Sequence, residues 1–309
     1  MIDVMGEAVI DLIETADGSY RAVCGGSPAN VALGVARLAA PCRFLGRIST
    51  DRFGARTRAR LTDSGVDLGA VVSTDLPATL AIVSLDTSRS ARYSFYVTGT
   101  ADWQWNEREL PADVPEVFHT GSLTAALPPG ADVVTAHMRR LRDGGDCLVS
   151  YDPNIRPGVI ADQVVEAARV EQQASLAHLV KVSVEDLAWL YPGRSVDDCV
   201  GGWRGAGVAA DVIVTFGADG ARLYRADGER VERRGVSVAV ADTVGAGDAF
   251  TAGVLAELSS RGQRLVEGSG VSVTTAEWSP ILDFANLVAA ETCRRPGADP
   301  PRRDQLPPR

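Results

Sequence analysis

The chain has 309 residues, 45% of them hydrophobic and 23% charged, enough apolar surface for a substantial core and unlike a disordered or fibrous composition. A formal charge of −9, with arginines scattered rather than striped, opposes a nucleic-acid or anionic-membrane partner. The five cysteines (Cys24, Cys42, Cys147, Cys199 and Cys293) are dispersed and form no CxxC pair, which excludes a disulfide framework or cysteine zinc site and predicts reduced thiols in a cytoplasmic protein.

The first apolar run is interrupted by Asp3 and Glu7 and reads as a strand, not a secretory signal. No run is long enough to span a bilayer. Residues 8–24 and 78–98 each read as strands with no helix between partners. Tyr93, Phe95 and Val97 alternate with Ser94, Tyr96 and Thr98, the pattern of a half-buried antiparallel strand. Together these regions predict a small sheet projecting from the main body, either a lid over a cleft or a plain edge extension. Asp11 lies in the first of them, after Ala8-Val9-Ile10. A carboxylate inside a strand points to solvent or to a ligand, and accepting two adjacent sugar hydroxyls is one such use.

Cys24-Gly25-Gly26-Ser27-Pro28-Ala29-Asn30 opens the helix expected over 28–39. Ser27 suits the N-cap and Pro28 the first helical position, so helix initiation explains both. It does not explain Gly25-Gly26, nor Asn30, whose amide offers a donor and an acceptor to a polyol. Strands are then expected at 43–48, 116–120, 147–151, 179–182 and 212–215. Helices are expected at 53–64, 133–142, 162–174, 184–190 and 249–260. This alternation predicts an α/β fold: a doubly wound, mainly parallel sheet flanked by helices, forming one domain over 1–309 with its ligands beyond the carboxyl ends of the strands. Arg139, Arg140 and Arg142 read as a solvated helix face.

Three loops at strand ends carry polar residues. Asp152-Pro153-Asn154-Ile155-Arg156 is a proline turn or a cleft lining, with Arg156 available to phosphate. Glu185 and Asp186, after Lys181 and Ser183, favour a helix dipole or reach a hydrated magnesium ion. Thr215-Phe216-Gly217-Ala218-Asp219-Gly220 is a turn or a platform under a nucleotide. Finally, Asp242-Thr243-Val244-Gly245-Ala246-Gly247-Asp248 leads into the helix over 249–260. A helix start with adjacent glycines accepts an anion, and an aspartate there can accept a proton, a pairing suited to phosphoryl transfer. Three residues after Gly247 stands Phe250 rather than glycine, so a dinucleotide fingerprint is excluded. Lys181 is the only lysine and no GxxxxGK[ST] occurs, which excludes a P-loop. The Pro/Arg-rich stretch 296–309 reads as a surface-hugging or frayed end.

The order and spacing of these segments resemble the PfkB (ribokinase-like) family of carbohydrate kinases over essentially the whole chain. One signature is Gly25-Gly26-Ser27-Pro28-Ala29-Asn30-Val31-Ala32 running on to Gly54; the other is Asp242 to Asp248 continuing through Leu255. The resemblance implies an ATP- and Mg²⁺-dependent kinase in which Asp248 is the general base and Gly245, Ala246 and Gly247 form an anion hole. Asp11, Gly25, Gly26, Asn30, Phe95, Asp152 and Arg156 would face the sugar. Asn154, Lys181, Ser183, Thr215, Gly217, Gly220 and Asn286 would line the nucleotide, with Gly297 closing its adenine side. Asp186 and Glu185 would reach Mg²⁺ through water. A K⁺ requirement and a homodimer formed through the lid stay open.

Gly6-Glu7-Ala8-Val9-Ile10-Asp11, Asp152 to Arg156 and Lys181 to Asp186 look most like fructokinases, as does Gly99-Thr100-Ala101-Asp102-Trp103. Fructose is therefore the expected acceptor. The usual Asn-x-x-Glu of the family is Ser183-x-x-Asp186 here, and Val97 and Thr98 stand where many fructokinases carry an arginine. The alternatives are 2-keto-3-deoxygluconate kinase, whose substrate wants a cation in the pocket, and a catalytically silent sugar- or nucleotide-binding regulator. A nucleoside kinase lacks an evident base-stacking slot near Asp11.

Overall fold

The computed structural model describes residues 1–15, 17–85, 91–160, 162–262, 265–266 and 269–308. In chain order, β1 (Ile2–Met5) is followed by β2 (Ile10–Glu14), β3 (Tyr20–Cys24), α1 (Ser27–Arg37), β4 (Cys42–Leu45), β5 (Arg47–Ser49) and α2 (Arg52–Asp63). Then come β6 (Val72–Thr74), β7 (Leu80–Leu85), β8 (Ala91–Tyr96), β9 (Val117–Gly121), α3 (Ser122–Ala126) and α4 (Gly130–Gly144). The next stretch holds β10 (Leu148–Asp152), α5 (Gln163–Ser175), β11 (Leu179–Ser183), α6 (Val184–Leu190), α7 (Val196–Gly205), β12 (Asp211–Thr215), β13 (Ala221–Tyr224) and β14 (Arg230–Arg233). Helix α8 (Ala246–Ser260), the short hairpin β15 (Leu265–Val266) and β16 (Ser269–Val271), and α9 (Thr275–Cys293) complete the order.

Eight strands form the central sheet in the order β14-β13-β12-β11-β10-β9-β1-β4. The strands from β12 to β4 are parallel, and the β13–β14 hairpin adds an antiparallel edge. Both faces are covered, which is why these strands read as continuous apolar runs. On one face, Val31 and Val35 of α1, Leu255 of α8 and Trp278 and Leu282 of α9 pack against Val4, Leu179 and Ile213. On the other, Val134 and Met138 of α4, Val170 of α5, Leu187 of α6 and Trp203 of α7 pack against Phe118, Val149 and Val180. The doubly wound α/β sheet is as expected. The strand order reverses between β1 and β9, the switch point at which ligands bind in open sheets.

A second sheet, ordered β3-β2-β7-β8, contains the strands expected over 8–24 and 78–98. Its register aligns Asp11 with Val23 and Ala81, and Ala81 with Phe95, so these four side chains share one face. Tyr93 belongs to β8, but its side chain lies outside the described residues.

Some local expectations change. The single strand expected at 43–48 breaks at Gly46 into β4, in the central sheet, and β5, which pairs with β6. Helices α7 and α9 were not expected. The first contains Gly201-Gly202, poor helix formers, and the second carries Pro280 and is apolar on most of its surface, which blurs its stripe. Arg142 is not solvated: it donates to the Ala177 carbonyl at 2.8 Å, and burial lowers its pKa. The stretch 296–308 lies on the surface of the fold rather than fraying, with Ala298 and Leu306 buried.

Two buried carboxylates hold the root of the small sheet. Asp102 accepts the Ala8 N–H at 2.8 Å and the Thr79 hydroxyl, just before β2 and β7 begin. Glu7 accepts the Thr124 N–H at 3.0 Å at the start of α3. Burial pushes the Asp102 carboxyl up to about 7 against the pull of the Thr79 and Ala8 hydrogen bonds, and Glu7 adds to the rise. Because the folded value lies above the ordinary 3.8, the stability contributed by Asp102 is complete below 3.8 and is lost as pH rises to about 7. Thermal unfolding of Asp102→Asn is expected to show a shallower fall in Tm from pH 5 to pH 8 than the native chain. Identical slopes would refute this account.

Candidate active site

The carboxyl ends of β9, β10, β11 and β12 open toward the N-termini of α1 and α8, and the small sheet stands beside them. Helix α8 starts at a left-handed Gly245 (φ 77°) with no side chain capping it. Ala246 N–H turns back to Thr243 O at 3.2 Å, so that member of the expected anion hole is already engaged within the turn. Gly245 is required by packing as well as by φ, since a Cβ there would lie 2.5 Å from the Ala298 Cβ.

Asp248, in the first turn of α8, is buried and receives two hydrogen bonds from α1. Ser27 Oγ donates to Oδ1 at 2.7 Å and Asn30 Nδ2 donates to Oδ2 at 2.9 Å. This revises two readings. Gly26 rather than Ser27 is the N-cap of α1, and no side chain caps that helix, so the Ser27 hydroxyl is committed to Asp248. Asn30, expected to face a sugar, orients the same carboxylate. Sequence separation hid both contacts, because nothing local in Ser-Pro-Ala-Asn reports a partner more than two hundred residues away.

Below Asp248 lies a buried charge cluster. Lys181 Nζ donates to Asp152 Oδ2 at 3.0 Å, and a Cβ on Gly247 would sit 3.1 Å from that ammonium. Burial disfavours the charged lysine, but the Asp152 and Asp186 carboxylates, with Asp248 beyond, outweigh it and raise its pKa. Burial pushes Asp152 up to about 6, with Lys181 opposing and Asp186 and Asp248 reinforcing the rise. Asp152 Oδ1 is buried with no hydrogen-bond partner among the described residues. On the neighbouring strand, His119 Nδ1 lies 3.0 Å from Ser150 Oγ; burial and then Lys181 lower its pKa to about 3, so the ring is neutral.

Asp186 has both oxygens engaged. Oδ1 accepts the Ile155 N–H at 2.9 Å and Oδ2 accepts the Ser183 hydroxyl at 2.7 Å in a capping box. Ser183 is thus the N-cap of α6, and Glu185 is exposed. Between Asp152 and Arg156, Asn154 has a φ of 40°, an uncommon backbone for a non-glycine residue.

Asp11 faces this ensemble from the small sheet. Its Oδ2 lies 2.3 Å from where a Cβ on Gly25 would be, so only glycine lets the carboxylate lie across that turn. Burial pushes Asp11 up to about 6, and Arg156, in the loop after β10, pulls the other way. Phe95 shares the face of Asp11. Thr215 ends β12, Gly217 is exposed in the following turn, and Gly220 closes it. Asn286 on α9 donates to the Arg234 carbonyl at 3.2 Å, and Gly297 N–H donates to Asp242 Oδ2 at 2.8 Å, which holds the turn before α8. Among the described residues no group of three or more His, Cys, Asp or Glu is arranged to hold a metal, and no helix is long and apolar enough to cross a membrane.

The family model described as pfkB family carbohydrate kinase matches residues 1–305. The chain belongs to this family. The kinase is 36% identical over 264 residues to a fructokinase of Rhizobium leguminosarum bv. trifolii, covering 84% of this chain and 79% of that one. Its structure resembles ATP-bound fructokinase from Xylella fastidiosa (TM-score 0.86, 27% identity, 96% of this chain and 93% of that one). It also resembles aminoimidazole riboside kinase from Salmonella enterica, complexed with aminoimidazole riboside and an ATP analogue (TM-score 0.83, 29% identity, 96% and 94%).

Gly25→Ala would drive the Asp11 carboxylate from its place. The sugar KM is expected to rise at least about tenfold, the worth of one hydrogen bond to a charged group, with the ATP KM within twofold. Steady-state kinetics with each substrate varied in turn checks this, and an unchanged sugar KM would remove Asp11 from the sugar pocket.

Proposed function

We propose that this carbohydrate kinase transfers the γ-phosphate of ATP to a primary hydroxyl of fructose. The observation that carries the reading is the grip of Ser27 and Asn30 on Asp248. It aims a carboxylate between the sugar-side turn at Gly25 and the N-terminus of α8. The hydroxyl oxygen attacks the γ-phosphorus, its proton passes to Asp248, and the bond to the bridging oxygen breaks to release ADP. Backbone N–H groups from Gly247 onward and the Lys181 ammonium offset charge on the moving phosphoryl group. Asp11 and Asn30 hold sugar hydroxyls, with Gly26 in the same turn and Phe95 and Arg156 flanking Asp11. Thr215, Gly217, Gly220 and Asn154 border the nucleotide, while Ser183 and Asn286 support its loops. The small sheet acts as a lid that excludes water within a single domain.

Mg²⁺, when bound, would neutralise phosphate charge. The unpartnered Asp152 Oδ1 and the exposed Glu185 suit an ion that keeps most of its waters, whereas Asp186, fully hydrogen-bonded, fits better as the brace of the 183–186 turn. A homodimer through the lid is supported by the opposite face of the small sheet, where Leu12, Leu80 and Ile82 are half-buried and Tyr96 is 58% exposed. A cytoplasmic setting suits the five unpaired thiols.

Phosphorylation is to be measured with ATP and Mg²⁺ across fructose, 2-keto-3-deoxygluconate, ribose, glucose and aminoimidazole riboside. A kcat/KM for fructose at least about tenfold above the rest, roughly the discrimination of one good contact, is expected. Preference for another acceptor overturns the sugar assignment alone. On the best acceptor, Asp248→Asn is expected to lower kcat by roughly 10²–10⁴-fold, and near-native turnover would remove Asp248 as the base.

A further inference from the structure

Residues 297–302 run from the end of α9 across the base of the α8 N-terminus to α1 and α2. Arg37 of α1 donates to Asp299 Oδ1 at 2.6 Å and to Pro300 O at 2.7 Å, and Arg302 donates to the Asp63 carbonyl at 3.1 Å. Arg60, in the last turn of α2, donates to the carbonyl of Ala298. Ala298 is the residue on which Gly245 rests, its Cα only 2.9 Å from where a Cβ on Gly245 would lie.

Arg60 differs from its neighbours in the strap. Arg37 has a carboxylate partner, but among the described residues Arg60 forms no ion pair, and the Ala298 carbonyl is its one hydrogen bond. Its guanidinium is nonetheless half-buried, and burial lowers its pKa, with Arg37 and Arg56 adding and Cys24 and Asp299 opposing. Beside it lies a cavity of about 10 Å³, room for one water, lined by Cys24, Gly25, Asn30 and Thr57. A desolvated cation held by a single carbonyl is costly unless its place matters elsewhere.

We propose that Arg60 is a positioning residue for phosphoryl transfer. Through Ala298 it sets the height of Gly245 and hence of the first N–H groups of α8, and across the small cavity it registers that loop against the Gly25–Asn30 turn. It touches neither sugar nor nucleotide. The inference rests on transfer at Asp248 and is independent of which sugar is used.

The test is steady-state kinetics of Arg60→Ala, Arg60→Gln and Arg60→Lys on the acceptor that the native kinase turns over best, so a failed fructose assignment does not touch it. Misplacing the anion hole by a fraction of an ångström should lower kcat of the alanine variant about tenfold and raise the ATP KM severalfold, with the sugar KM within twofold. Lysine, which can still reach a carbonyl, should restore most of kcat. Glutamine keeps one donor and should fall between them, which covers an alanine variant that does not fold. Equal kcat losses in all folded variants, or a lower Tm with native kcat and KM, would overturn the proposal. A rise confined to the sugar KM would overturn it too, by placing Arg60 in the sugar pocket.

Discussion

Asp248 is useful only because two helices meet over it. Its carboxylate belongs to α8, and both of its hydrogen-bond donors belong to α1. Ser27 and Asn30 lie in the first turn of α1, next to the glycine turn that gives Asp11 room, and Asp248 lies next to the glycine turn that exposes the α8 N–H groups. One pair of hydrogen bonds therefore sets the distance between the two turns. The packing of Gly34 of α1 against Ala252 of α8, with 2.7 Å from the missing Cβ to the Ala252 Cβ, allows the helices to close to that distance. Hydrophobic burial supplies the energy for the approach, and polar contacts at the helix mouths fix its end point.

Beneath that junction the protein concentrates charge where desolvation is most costly. Asp152, Lys181, Asp186 and Asp248 are each less than a tenth exposed. A cluster with three carboxylates and one ammonium is out of balance on its own, and the orphaned Asp152 Oδ1 marks where balance is lacking. A nucleotide would bring its own negative charge, so a cation accompanying it is the natural complement. On the proposed function, the cluster would be completed by a cation that arrives with the nucleotide.

The fold was largely legible because buried parallel strands and their helices alternate strongly in apolar content, and because Asp11 and Phe95 sit in period-two segments. Gly25 is legible as a glycine that helix initiation alone does not explain. What was not legible is long-range pairing. Ser before Pro favours a cap at Ser27, and tertiary contact with Asp248 overrides that preference. Acidic residues at a helix start suit either a dipole or a metal, and nothing local shows that at Asp186 the Ser183 capping box takes one oxygen and the distant Ile155 N–H the other. Helix α9 escaped notice because burial on most sides erases the amphipathic stripe.

The strap formed by 297–302 also dictates an order of assembly. Gly245 rests on Ala298, and Ala298 is fastened to a helix that ends at Asp63. During synthesis the sheet strands, α1 and the Gly25 turn can all settle before residues 293–298 emerge, and the loop ahead of α8 gains its supports, the Cys293 carbonyl, the Gly297 N–H and Ala298, only with them. Closing contacts that distant in sequence is entropically expensive and slow. The nascent chain would therefore carry most of its sheet before it carries catalysis, and competence to transfer phosphate would wait for residues 293–298 to be fastened.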